Sequence, residues 1–466
     1  MNQFLPRPLK KVIHFFFRQL GYGIVKLPEN KDVIPKTHLN EFCENSKSKT
    51  SSLAKEKNEA FRPFFINMHH IGGRGGDFPI SFPVNDKFLS DLETYIYEAD
   101  TDCVEHMSKG RYVDHVIPAA VAGADGEGSF NINYDPCTSS LLPMSESCRG
   151  YYYQHPDCDY TLADVLRPTS VRKLKLRSLD ALAKEHQFSV DYLSLDVQGS
   201  ECDLLSGISD DTFKNTIAVM CEVSLVEFYD SQGMFEDIVA LLRKKGFFVG
   251  LFNHHPGLTM FRTGIGWRGT GFSVHADVLF FRDIKHIVKS LDEPFLALLK
   301  AAFVALSYGN VSYALEALVE AYKRPNPNVL NAAGQVGYVG FLDKMYQTYL
   351  ETPQIFPPSY GQLWSAEASF ARFSLNQKIV PEAADVRAAY FKETDEDLFK
   401  EMAPRLMNHD PSPFESHLRE NGFSGIADDV VGRRLTGIKN TLWALGMAVQ
   451  NGKTVIAPRT GPQLTP

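Results

Sequence analysis

Between about residues 61 and 282, short apolar runs alternate with amphipathic segments. The candidate strands are "RPFFINM", "TYIYEA", "DHVIPAAVA", "GSFNINY", "DYLSLDV", "AVMCEVS", "FFVGLF" and "ADVLFF". Among the segments between them, "EDIVALLRKKG" has helical periodicity and ends at Gly246, a residue that can take the left-handed cap conformation. Strands that alternate with helices are typical of a parallel α/β sheet. We therefore expect one α/β domain over residues 61–285.

The segments on either side of this domain have a different character. Residues 1–27 contain a basic amphipathic pattern, which predicts a helix that either contacts an anionic membrane surface or docks on its own protein. Residues 28–60 are polar and lysine-rich, as in a linker. Residues 290–450 show helical periodicity, for example in "PFLALLKAAFVALSYG" and "VSYALEALVEAYKRP", and predict an α-helical C-terminal domain. Residues 451–466 resemble a flexible tail.

Composition narrows the class of protein. Apolar residues make up 44% of the chain and charged residues 22%, which is ordinary for a soluble globular protein. A net charge of −8 argues against a dedicated nucleic-acid binder. The seven cysteines form no C-x-x-C pair, so we expect neither a disulfide framework nor a zinc site. These features favour a cytoplasmic protein, with peripheral contact at the inner membrane if the N-terminal helix binds lipid.

A glycine-rich turn, "HHIGGRGGD", follows the first candidate strand. In an open parallel sheet this turn lies at the edge where ligands bind. Glu98 ends the next strand about twenty residues later, where a carboxylate can accept hydrogen bonds from both ribose hydroxyls of a cofactor. These two features alone do not separate NAD from S-adenosylmethionine, although the glycine spacing departs from G-x-G-x-x-G. A tight turn without a ligand and a strand end without a role are the simpler alternatives.

A longer stretch carries a resemblance to a known family. The run from Asp191 to Glu201, "DYLSLDVQGSE", closely resembles the "vDflKiDvEGaE" signature of FkbM-type methyltransferases. "RSLDAL" resembles that family's "vrLDdl", and "EVSLVEFYDSQGMFEDI" resembles its "Evs..plY.gq..f.di" segment. "VIPAAVAGADGEGSFNI" and the later "SSL" match its middle region, and "HIGGRGG" aligns with the "DVGARGG" of some members. The resemblance covers about residues 61–282 and not the C-terminal half.

The resemblance implies an S-adenosylmethionine-dependent methyltransferase on a Rossmann-like sheet of about seven strands, usually acting on a hydroxyl oxygen. One departure from the family is His70, which stands where relatives have Asp or Glu near the methionine moiety of the cofactor. His70, Asn67 or Asp77 is expected to take over this position. The residues expected to bind the cofactor are His70, Gly72, Gly73, Gly75, Gly76 and Glu98.

Three further residues are candidates for catalysis. Asp196 ends the fourth strand of the domain and Glu222 ends the fifth, so their carboxylates could act as base and orienter, or hold a divalent cation between them. His275 precedes "ADVLFF" and could act as a base from the far strand. Glu201, at the start of the helix after Asp196, is as compatible with a helix-start role as with a reactive one.

The sequence thus predicts an O-methyltransferase whose acceptor is a hydroxyl on a glycan, a glycolipid precursor or a secondary metabolite, as in polysaccharide biosynthesis. The alternatives are an NAD(P)-dependent sugar-nucleotide dehydrogenase and a degenerate, non-catalytic scaffold. The helical C-terminal domain could cap the acceptor site, form a homo-oligomer or dock a partner enzyme.

Overall fold

The computed structural model describes residues 64–73, 86–100, 113–155, 158–259, 272–291, 294–327, 330, 337–351, 412–429, 447–450 and 453–456. The regions predicted as N-terminal helix and linker lie outside these residues, as do twelve of the sixteen residues of the predicted tail. All described residues belong to one unit that extends over Glu56–Pro466. Among them, no helix is both long and apolar enough to cross a membrane.

Fourteen strands are described. They are β1 (Ile66–Ile71), β2 (Leu92–Glu98), β3 (His115–Pro118), β4 (Ala120–Ala122), β5 (Gly126–Asn133), β6 (Tyr152–His155), β7 (Cys158–Thr161), β8 (Pro168–Ser178), β9 (Tyr192–Leu195), β10 (Ala218–Ser224), β11 (Phe247–Thr259), β12 (Phe272–Arg282), β13 (Met447–Gln450) and β14 (Lys453–Ile456).

The α-helices alternate with these strands and then follow them. They are α1 (Leu162–Leu166), α2 (Leu179–His186), α3 (Glu201–Gly207), α4 (Asp210–Phe213), α5 (Phe235–Lys244), α6 (Ile284–Ser290), α7 (Pro294–Ser307), α8 (Val311–Tyr322), α9 (Gly337–Glu351) and α10 (Ser412–Glu420).

The main sheet has the order β3-β2-β1-β9-β10-β12-β11-β6-β7. The first five strands are mutually parallel, whereas β12 is antiparallel to both β10 and β11. Seven strands therefore form the mostly parallel, Rossmann-like sheet that the sequence predicts, and the β6–β7 hairpin extends its edge. A separate small sheet joins β4, β8 and β5. Gly246 has a φ of 83° just after α5, as its predicted role in ending that helix requires.

Two apolar layers cover the sheet. One face packs against the crossover helices through residues such as Leu193, Val219 and Leu242. The other face packs against the helices that follow the sheet in sequence, because Met68 and Phe281 share a buried cluster with Phe303 of α7. The described C-terminal helices therefore share a core with the sheet.

The alternation of side chains along the strands decides which residues can meet. Met68, Tyr192, Met220 and Leu279 face the layer of C-terminal helices. Two positions closer to the carboxyl ends of the parallel strands, the same face carries His70, Ser194, Glu222 and Asp277. His70 pairs with Ser194, and Glu222 pairs with Asp277. The sheet thus changes from an apolar to a polar surface towards the carboxyl ends of its parallel strands.

Candidate functional site

The turn after β1 closes tightly on the neighbouring strands. Gly72 has a φ of 98°, and a Cβ there would lie 1.7 Å from the carbonyl oxygen of Asp196. The backbone N–H groups of Gly72 and Gly73 both donate to the carbonyl of Tyr97, at 3.1 Å. Gly72 is therefore required by the close approach of β1 to the end of β9. The carbonyl of Tyr97 thus already accepts the protons of these two amides.

A cavity of about 180 Å³ opens where the carboxyl ends of β1, β2 and β9 meet. Gly72, Glu98 and Asp196 all contribute to its wall, so the three strand ends predicted to share a cleft do share one. Apolar side chains complete the wall, among them Val121, Phe130 and Leu141. Such a mixture, largely apolar with a few polar groups, is typical of small-molecule sites.

Glu98 is the polar group on the β2 side of this cavity. It is buried, with 6% of its surface exposed, and its Oε1 accepts the backbone N–H of Asp100 at 2.7 Å. The carbonyl of Glu98 accepts the N–H of Ala119, which draws the chain after β3 towards the same cavity. The carboxylate is thus fixed at the wall of the cavity, where it could bind a pair of hydroxyl groups.

Asp196 and Glu222 form an acid pair at the ends of β9 and β10. The side-chain amide of Gln198 bridges them, with Nε2 lying 2.5 Å from Asp196 Oδ1 and 3.4 Å from Glu222 Oε2. Burial, followed by the charges of Asp196 and Glu201, raises the pKa of Glu222 well above its usual range. A hydrogen bond with Asp196 raises that pKa further. This shift favours the protonated form of Glu222.

His275 extends this row across β12. Its Nε2 lies 3.8 Å from Glu222 Oε1, and a quarter of its side chain is exposed. The three residues predicted to be catalytic thus converge, with Glu222 between Asp196 and His275. This arrangement could accept a proton at Asp196 and exchange it through Glu222.

Comparison with known proteins assigns this architecture. Residues 83–249 match the family model of the methyltransferase FkbM domain. This part of the chain is an FkbM methyltransferase domain. The match begins after the glycine turn and contains Glu98, Asp196 and Glu222, and it lies within the region where the sequence resembles the family. No curated protein and no solved structure matches the chain.

Within the FkbM domain, Glu201 has a structural position. Its Oε1 accepts the backbone N–H groups of Val197, at 2.9 Å, and Gly199, at 3.3 Å, which closes the turn between β9 and α3. Burial raises the pKa of Glu201 to about 7. The helix-start interpretation of Glu201 therefore agrees with its contacts.

The positions of His70 and Asn67 differ from the expectation. His70 is buried, its Nδ1 lies 3.0 Å from Ser194 Oγ, and it is not among the residues that line the described cavity. Burial lowers its pKa, although the charge of Asp196 acts in the opposite direction. Asn67 lies at the other end of β1, bound to Ser189 and Asp191. Asp77 lies outside the described residues, as do Gly75 and Gly76.

The expectation of a divalent cation is not supported. Within the part of the chain that the structure describes, no group of three or more His, Cys, Asp or Glu side chains could hold a metal ion. The acid pair instead binds the amide of Gln198. The amide of Gln198 and the raised pKa of Glu222 both lessen the repulsion between the two carboxyls.

Sequence reasoning missed Gln198 and Tyr229. The hydroxyl of Tyr229 lies 2.7 Å from the carbonyl of Thr138 and 3.1 Å from the side-chain carbonyl of Gln198, so these two acceptors share its one hydrogen. A signal was present, because position 198 carries Gln where the quoted family signature "DvEG" has Glu. The partnership with Tyr229 could not be inferred, since thirty-one residues separate the two in sequence.

Proposed function

We propose that this protein is an S-adenosylmethionine-dependent O-methyltransferase whose acceptor is a hydroxyl on a glycan, a glycolipid precursor or a secondary metabolite. The observation that carries the proposal is the shared cavity at the ends of β1, β2 and β9, within an FkbM methyltransferase domain. It unites a buried carboxylate on β2 with Asp196, the member of the acid pair that lines the cavity.

The residues at the cavity fit the proposed cofactor. Glu98 offers a fixed carboxylate to a ribose diol, as expected at the end of the second strand of such a sheet. Val121, Phe130 and Leu141 offer an apolar surface to a purine ring. S-adenosylmethionine supplies a methyl group on a positively charged sulfur, which an acceptor oxygen attacks in line. The negative charge of the acid pair is compatible with that positive charge.

The residues of this chain would act on the acceptor. An alcohol is a weak nucleophile unless its proton is removed during attack, which requires a base within hydrogen-bond reach. Asp196 lines the cavity and can accept that proton. Glu222, whose pKa is raised by burial and by neighbouring charge, would keep its proton and donate a hydrogen bond to Asp196. Repulsion from these acids disfavours an anionic acceptor, which supports a neutral hydroxyl.

Isothermal titration of the full chain tests the cofactor. We expect S-adenosylmethionine and S-adenosylhomocysteine to bind and NAD⁺ not to bind. Loss of a hydrogen-bonding carboxylate costs about 1.5–3 kcal/mol, so Glu98→Ala should weaken both ligands at least about tenfold. Glu127→Ala, at an exposed position of β5, is the matched control and should bind as the wild type does. Binding of NAD⁺ alone would support the dehydrogenase instead.

Transfer of a labelled methyl group tests the reaction. Cell-wall glycans, lipid-linked sugars and secondary metabolites serve as separate acceptor pools. We expect a product that survives mild alkali, because ethers resist hydrolysis whereas methyl esters do not. Asp196→Asn should abolish transfer while cofactor binding persists. Alkali-labile product would contradict O-methylation of a hydroxyl, and full turnover by Asp196→Asn would remove Asp196 from the mechanism.

A further inference from the structure

The turn that carries Gln198 is fixed from several sides. Gln198 has a φ of 54°, in the left-handed region, and its carbonyl accepts the hydroxyl of Ser140 at 2.6 Å. Gly199 follows with a φ of 98°, and a Cβ there would lie 2.7 Å from the ring of Tyr229. A non-glycine residue in the left-handed region is strained and persists where its surroundings determine it. The backbone at this point thus directs the Gln198 side chain at the acid pair.

The orientation of the Gln198 amide follows from its partners. An ionised carboxylate can only accept hydrogen bonds, so the nitrogen of the amide faces Asp196, its nearer partner. The oxygen then faces Tyr229, whose hydroxyl can donate to it at 3.1 Å. The reverse orientation would place the amide oxygen 2.5 Å from Asp196 Oδ1, a contact that a negative charge on Asp196 forbids.

The two contacts of the amide nitrogen are unequal. It lies 2.5 Å from Asp196 Oδ1 but 3.4 Å from Glu222 Oε2. A short hydrogen bond to a charged oxygen is stronger than a long one, so the amide stabilises negative charge on Asp196 more than on Glu222. Two neighbouring carboxyls that share one proton titrate as a pair, and a small asymmetry decides which one keeps it.

We propose that Gln198 is a positioning residue that keeps the shared proton of the acid pair on Glu222 and leaves Asp196 as the proton acceptor for the substrate. The proposal rests on the proposed function for its meaning in catalysis. The position of the proton itself is a property of the protein without ligand, so it can be measured before any ligand binds. As the acceptor oxygen formed its bond to the methyl carbon, the bond from that carbon to sulfur would break and S-adenosylhomocysteine would leave, while the acceptor O–H proton would move to Asp196.

Carboxyl ¹³C NMR of the full chain tests this inference. Glutamate is labelled at its carboxyl carbon, and the Glu222 signal is identified by its loss in Glu222→Gln. In the wild type this signal should show a protonated acid at neutral pH. Gln198→Met keeps a side chain of similar size but removes the N–H donor. We then expect Asp196 to hold the proton for a larger fraction of the time. The midpoint of the Glu222 signal should then fall by about one pH unit or more, a tenfold change in proton affinity.

Ser140→Ala is the matched control. It removes the hydroxyl that holds the Gln198 carbonyl but leaves the side-chain amide, so it loosens the turn without changing the donor. We expect a lower melting temperature and an unchanged Glu222 midpoint. An equal shift in both variants would reduce Gln198 to a structural residue, and no shift in Gln198→Met would overturn the proposal. Titration with S-adenosylmethionine, performed separately, shows whether the proposed function itself fails.

Discussion

Asp191 and Asp196 flank the same four-residue strand, β9, and the protein treats their charges in opposite ways. Asp191 is buried, and its Oδ2 lies 2.7 Å from the Nζ of Lys300 on α7 and 2.8 Å from the backbone N–H of Asn67. Asp196, at the other end, binds the neutral amide of Gln198 and lies next to a second acid, Glu222.

The difference suggests that Asp191 serves the stability of the fold and Asp196 serves the chemistry, although both flank one strand. A buried charge must be compensated, and a cation compensates it fully but also removes its basicity. At the start of β9, which we call its closed end, Lys300 stabilises Asp191 and joins a C-terminal helix to the sheet. At the ligand edge, Asp196 has the neutral amide of Gln198 and the carboxyl of Glu222 as neighbours instead of a lysine, and the proposed function uses it as a proton acceptor. The contrast therefore predicts a structural end and a reactive end of β9.

The largest effect is expected at the closed end. Lys300→Met keeps most of the side-chain volume but leaves Asp191 buried without its cation, because both partners are at most 7% exposed. Breaking a buried pair from one side costs about 3–5 kcal/mol. Urea denaturation should show a loss of this size in the free energy of unfolding.

Two further variants make the result specific to the charge. Arg324→Met breaks an exposed pair with Glu320 and should cost less than about 1 kcal/mol. Asp191→Asn combined with Lys300→Met removes both charges and should recover part of the loss. If the double variant were as unstable as Lys300→Met, lost packing rather than the unpaired carboxylate would explain the effect.

A smaller effect, which depends on pH, is expected at the ligand edge. Burial raises the pKa of Glu201 from 4.5 to about 7, so the folded protein binds a proton that the unfolded chain has already lost. Stability should therefore fall as pH rises from about 4.5 to about 7 and level off above, by about 3 kcal/mol in total. Urea denaturation at a series of pH values measures this slope.

Glu201→Gln keeps the oxygen that accepts the N–H groups of Val197 and Gly199 but has no proton to lose. Its stability should depend less on pH over this window, and the difference from the wild type isolates Glu201 from Glu222. Parallel profiles for the two proteins would contradict the assignment. Cofactor binding measured alongside would show whether the turn after β9 keeps its shape.

Local pattern was enough to predict the parallel sheet and the ends of its strands. β10 occupies the predicted stretch "AVMCEVS", and α7 and α8 lie within the two predicted helices. The carboxyl ends of parallel strands lie at the same edge of a sheet whatever their side chains are. Glu98, Asp196, Glu222 and His275 could therefore be named from the sequence. The roles assigned to them stay predictions.

The parts that sequence missed depend on contacts between distant segments. β8 alternates apolar and polar residues, but its side chains are largely exposed, so its apolar signal is weak. The Lys300–Asp191 pair joins residues 109 apart, and no local periodicity encodes it. His70 was expected at the ligand because of its place in the turn, yet strand alternation directs it towards Ser194.

The smallest effect concerns the other partner of Asp191. The Asn67 side-chain amide donates to Ser189 Oγ at 2.9 Å and to Asp191 Oδ2 at 3.1 Å, while its backbone N–H donates to the same carboxylate. Asn67→Ala removes only the side-chain bonds, one to a hydroxyl and one to a carboxylate, and should cost about 2 kcal/mol. Urea denaturation of Asn67→Ala and of Lys300→Met measures the two losses in the free energy of unfolding, which can then be compared. If Asn67→Ala cost as much as Lys300→Met, the backbone and the lysine would not suffice to hold the charge, and Asp191 would be stabilised by a network rather than by its cation.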